Sequence, residues 1–129
     1  MSDRKTVLLV EDDEGLRYAF RIAIERAGFN VVEAAQGDDA VHIINERGDE
    51  LCFAVLDMLV PKVHGSSLIF HIASTAPTLP VVAVTGYPDR VMFADPADRH
   101  VVKAIFLKPV APEDVAGFIA ARHAREPRA

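Results

Sequence analysis

Residues 6–28 read TVLLVEDDEGLRYAFRIAIERAG, and three textures follow one another within them. Thr6–Val10 is an apolar run without in/out alternation, which suits a strand covered on both faces, as in a parallel sheet. Glu11, Asp12 and Asp13 then place three carboxylates where that strand ends. Leu16, Ala19, Phe20, Ala23, Ile24 and Ala27 recur at the spacing of one helical face. Asp12 or Asp13 can cap that helix, and Gly28 can end it. A buried strand, a polar turn and an amphipathic helix form the first half of a βαβ unit.

The alternation continues along the chain. Further apolar runs lie at Asn30–Ala34, Cys52–Leu56, Pro80–Val84 and Ala104–Leu107. Between them, Ala40, Val41 and Ile44 mark a helix opened near Gly37-Asp38 and closed by Gly48. Ser66 to Thr75 makes another, stopped by Pro77. A last helix starts at Pro112, with Glu113 and Asp114 in its first turn and Val115, Phe118 and Ile119 on its apolar face. Pro88 to Lys103 contains Pro96, so one short helix or two fragments are expected there, irregular around Ala94–Ala97. Five strand–helix alternations predict an α/β fold: a five-stranded parallel sheet, doubly wound, in the order 2-1-3-4-5.

Composition sets the outer bounds. The 129 residues suit one domain, and 50% hydrophobic with 26% charged residues is a soluble globular balance. A net charge of −5 argues against direct nucleic-acid binding. Cys52 is the only cysteine, which excludes an internal disulfide; in a strand it is expected to be buried and inert. His42, His64, His71, His100 and His123 match no metal-ligand spacing. No apolar run reaches the roughly 18 residues of a membrane span, and no signal peptide is visible, so the cytoplasm is the expected compartment.

Open α/β sheets bind ligands at the carboxyl ends of their strands. Those ends carry Glu11, Asp12 and Asp13 after strand 1, Asp57 after strand 3, Thr85 after strand 4 and Lys108 after strand 5. Clustered carboxylates repel unless a cation joins them, and an all-oxygen set suits Mg²⁺. A carboxylate beside Mg²⁺ can accept a phosphoryl group, whose oxygens then need cationic and hydrogen-bonding partners such as Lys108 and Thr85. Each residue alone has a bland reading: a helix cap, a loop carboxylate, a strand-end threonine, a surface lysine. Four bland readings at four strand ends at once are much harder to sustain.

These motifs resemble the receiver domain of two-component response regulators. Val10-Glu11-Asp12-Asp13 is similar to that family's acidic cluster, and Asp57-Met58-Leu59-Val60-Pro61 with Gly65 to its phosphoacceptor loop. Val84-Thr85-Gly86 is similar to its switch-threonine motif, and Phe106-Leu107-Lys108-Pro109 to its Lys-Pro motif, with a peptide bond that is usually cis. The resemblance spans residues 5–124. It implies that Asp57 is the phosphoacceptor, with Asp12 a direct Mg²⁺ ligand and Glu11 holding the ion through water. The Leu59 backbone carbonyl would be a further ligand and Asp13 peripheral, while Thr85 and Lys108 would serve the phosphoryl group. The implied donor is a histidine kinase or a histidine phosphotransfer protein. Output would come through altered docking to a downstream protein, with no output domain, no direct nucleic-acid contact and no membrane. The apolar Leu59 and bulky Tyr87 would flank the path of attacking water and slow dephosphorylation.

Three features depart from the family pattern. Ile105 stands where an aromatic switch residue is usual, the Thr85–Lys108 interval is about one residue longer than the family's usual spacing, and the fourth helix carries Pro96. All three concern the output face, so an order–disorder change within Asp89–Lys103 is expected to replace an aromatic flip. Two other functions compete. A Mg²⁺-dependent phosphohydrolase of the haloacid-dehalogenase type needs an Asp-x-Asp after its first strand, which Asp12-Asp13-Glu14 does not supply. A binding module that never takes phosphate rests on the departures at the output face.

Overall fold

In the computed structural model, residues 5–58, 62, 64–86 and 96–125 are described. The strands are β1 (Thr6–Val10), β2 (Asn30–Ala34), β3 (Leu51–Asp57), β4 (Val81–Thr85) and β5 (Val102–Leu107). The helices are α1 (Glu14–Arg26), α2 (Gly37–Arg47), α3 (Gly65–Thr75), α4 (Pro96–Val101) and α5 (Pro112–Arg125). A single turn of 3-10 helix, Gly48–Glu50, joins α2 to β3. All strand pairs are parallel, and their order is β2-β1-β3-β4-β5, as the alternation predicts.

Side chains alternate across the sheet, so the core divides in two. Leu8, Ala54, Leu56 and Ala83 face α2 and α3, whose Ile44, Leu68, Ile69 and Ile72 cover them. Leu9, Phe53, Val55 and Val84 face α1 and α5, against Phe20, Ile24, Val115 and Ile119. Apolar residues on both faces of β1, β3 and β4 account for the unbroken apolar runs in the sequence. Asp13 caps α1, its Oδ1 accepting the Leu16 N–H at 2.7 Å. Gly28 ends the same helix at φ +105°, a backbone conformation that a Cβ would disfavour.

Several boundaries differ from the sequence reading. Asp57 and Thr85 are the last residues of β3 and β4 rather than the first of their loops, because both remain in the sheet ladder. Strand β5 starts at Val102, two residues early, and follows α4 with no intervening residue. Pro96 opens α4 instead of interrupting it, so Pro96 and Ala97 are helical where irregular chain was expected. A first-turn proline costs nothing there, since its missing N–H would have no partner within the helix. Cys52 is half-buried rather than buried, near the start of β3. Leu59, Tyr87 and residues 88–95 lie outside the described residues.

Candidate phosphoacceptor site

The register of the sheet assembles the site stepwise. Val10 pairs with Leu56, so Glu11 emerges beside Asp57. Asp57 pairs with Val84, one residue before Thr85. Thr85 pairs with Leu107, one residue before Lys108. Main-chain hydrogen bonds continue each ladder past the strand ends: Glu11 N–H to the Ala34 carbonyl at 3.0 Å, Met58 N–H to Val84 at 3.1 Å, and Lys108 N–H to Thr85 at 2.8 Å. The Lys108-Pro109 bond is cis, matching the expectation from the resemblance.

The three polar side chains at the centre are buried: Glu11 and Thr85 are 2% exposed and Asp57 5%. Lys108 Nζ lies 3.2 Å from Asp57 Oδ2 and 3.5 Å from Glu11 Oε1, one ammonium between two carboxylates. Burial, a hydrogen bond with Asp57 and the charge of Asp57 raise the Glu11 carboxyl to about pKa 7, against the opposing pull of the Asp13 N–H and Lys108. Burial lowers the pKa of Lys108, but the charges of Asp57 and Glu11 outweigh it and leave the ammonium raised.

Carboxylate oxygens of Glu11, Asp12 and Asp57 all lie within 4.8 Å of one another, and Asp12 is exposed to solvent. Two buried carboxylates with one solvent-facing neighbour form a hard, all-oxygen donor set that fits a small divalent cation such as Mg²⁺. Asp13, the third acid of the run, is occupied as the α1 cap and does not join this group. The Leu59 carbonyl falls outside the described residues.

A sequence model of the response regulator receiver domain matches residues 7–120. The chain belongs to that family. The receiver domain is 35% identical over 89 residues to the sensor kinase CckA of Brucella abortus, covering 69% of this chain and 9% of that protein. It is 32% identical over 104 residues to the transcriptional regulatory protein AfsQ1 of Streptomyces coelicolor, covering 78% of this chain and 45% of that protein. The receiver domain thus spans less than half the length of either relative. Among solved structures, a receiver domain protein from Clostridium thermocellum superposes with a TM-score of 0.80 at 21% identity, covering 94% of this chain and 97% of the other. One from Methanospirillum hungatei gives 0.77 at 22% identity, covering 93% and 94%. At such identities the structures establish the fold.

Two features of this receiver domain were not foreseen from sequence. Arg17 of α1 donates from Nη1 to the Glu11 carbonyl at 2.9 Å. Its signal was an arginine one turn inside the helix that leaves the acidic loop, but its partner shows only once β1, β2 and α1 are assembled. Ile105 and Phe106 also face opposite ways. Phe106 packs edge-on against Phe118 of α5, ring centres 5.9 Å apart, while Ile105 is 42% exposed on the other face with Leu107, 54% exposed. The aromatic beside Ile105 is therefore committed to the core and cannot stand in for an aromatic at position 105.

Proposed function

We propose that residues 5–124 act as a phosphorylation switch, taking a phosphoryl group onto Asp57 from the phosphohistidine of a histidine kinase or phosphotransfer protein. An Asp57 carboxylate oxygen forms the new O–P bond as the N–P bond breaks, and that bond's electron pair leaves with the imidazole. The observation that carries this reading is the placement of Asp57. It is a buried carboxylate at a strand end, with an ammonium at 3.2 Å and two further carboxylates within 4.8 Å.

Glu11, Asp12, Asp57 and the Leu59 carbonyl would hold Mg²⁺, which when bound draws charge from the phosphoryl oxygens and quenches the repulsion among the acids. Lys108 supplies the second cation and Thr85 a hydroxyl donor. The added charge at Asp57 alters the surface offered to a downstream protein, and a cytoplasmic location accords with this role. No helix of the described residues is long and apolar enough to cross a membrane.

Mass spectrometry after incubation with Mg²⁺ and acetyl phosphate tests the assignment. Wild type gains one phosphoryl group and Asp57→Asn gains none. Equal labelling of the two proteins would remove Asp57 from the role.

A further inference from the structure

Both main-chain polar groups of Glu11 are tied toward β2. Its N–H donates to the Ala34 carbonyl at 3.0 Å, and its carbonyl accepts Arg17 Nη1 at 2.9 Å. Arg17 is itself anchored on β2, with Nε 3.3 Å from Glu33 Oε1. One turn further along α1, Arg21 Nε reaches the other Glu33 oxygen at 3.5 Å, which holds that carboxylate from a second side. Arg17 is only 20% exposed at its side chain, so its bonds are less diluted by solvent than those of an ordinary surface pair.

The Glu11 carbonyl shares one planar peptide unit with the Asp12 N–H. Holding that carbonyl therefore sets the plane from which the Asp12 Cα departs. The exposed Asp12 carboxylate has no hydrogen-bond or ion-pair partner among the described residues, so its own side chain does not hold it. Its direction depends on the main chain that enters it.

We propose that Arg17 is the positioning residue of the acidic loop: bridging Glu33 and the Glu11 carbonyl, it orients Asp12 for the divalent cation. This rests on the metal reading of the site given above. The planar guanidinium sends Nη1 to one acceptor and Nε to another, a fork that a lysine ammonium does not reproduce. The sign of the effect separates positioning from charge. Removing a cation beside an acidic site would by charge alone strengthen binding of a dication. Loss of positioning weakens it.

Calorimetric titration of the full chain with Mg²⁺ at pH 8 tests this, with the melting temperature of each metal-free variant measured alongside. Arg17→Ala is expected to weaken Mg²⁺ binding by roughly tenfold or more, the scale on which partners of metal ligands act. Arg17→Lys, which keeps the charge and loses the fork, should remain weakened. Arg26→Ala removes an exposed arginine from the last turn of the same helix, away from Glu33 and Glu11, and should bind Mg²⁺ like wild type. Unchanged or tighter binding by Arg17→Ala overturns the proposal. So does equal weakening in Arg26→Ala at a similar melting temperature, since the loss would then follow helix stability. A wild type that does not bind Mg²⁺ overturns the metal reading itself, and this inference with it.

Discussion

A Cβ placed on Gly65 would stand 2.6 Å from the Cα of Met58 and 2.6 Å from its sulfur. The Gly65 N–H donates to the Met58 carbonyl at 3.2 Å, which ties the first residue of α3 to the residue after Asp57. Backbone cannot retreat as a flexible side chain can. Gly65→Ala should therefore cost about 1–3 kcal/mol, the range for overpacking, and displace Met58, the residue next to Asp57. Urea denaturation reads the first effect. A reduced labelling rate with acetyl phosphate, measured where the variant is fully folded, reads the second.

The raised pKa of Glu11 makes stability depend on pH. In the unfolded chain this group titrates near 4.5, in the folded protein near 7. Between those values the folded state holds more protons, so metal-free stability falls as pH rises through that window, by up to about 3 kcal/mol. Other acids superpose their own slopes, so the quantity to follow is wild type minus Glu11→Gln. That difference should decline from pH 4.5 to 7 and flatten above. Mg²⁺ affinity should rise over the same interval, because the ion requires the ionised carboxylate.

Lys108 sets a single ammonium against two buried carboxylates and offsets part of their repulsion. Lys108→Ala leaves them facing each other and should cost about 2 kcal/mol at pH 8, less than a fully buried pair because the ammonium is partly solvated. Added Mg²⁺ should recover more stability in this variant than in wild type. Denaturation curves with and without the ion make the comparison, and a loss that Mg²⁺ does not reduce would count against shared charge as the cause.

Asp12 and Asp13 are adjacent in sequence and separate in role. Asp13→Ala removes the α1 cap and should cost about 1 kcal/mol with little change in Mg²⁺ affinity. Asp12→Ala should abolish most of the stabilisation that Mg²⁺ provides, and can raise metal-free stability by relieving repulsion. Melting temperatures across a Mg²⁺ titration distinguish the two.

How far the sequence could be read varies along the chain for physical reasons. β1 and β2 end where polar or helix-capping residues take over, so both strands match their apolar runs residue for residue. Asp57 and Thr85 look like loop residues because polar side chains rarely sit buried in a ladder, yet both are buried here. The start of β5 was missed because His100-Val101-Val102-Lys103 contains no glycine or proline to mark the junction. The four strand-end residues were legible because strand order alone brings them together. Arg17 was not, since its bonds depend on where α1 lies against β2, which periodicity does not convey.

Leu8 and Leu9 are consecutive in the chain and belong to different interiors. The sheet is a partition one residue thick, and a cavity opened on one side has no neighbours to relax on the other. Substitutions such as Ile24→Val and Ile69→Val should then add in their effect on stability, having no packing partner in common. The same partition lets the packing under α1 and α5 be altered while the packing beneath α2 and α3 stays as it is, with the row of strand ends shared by both.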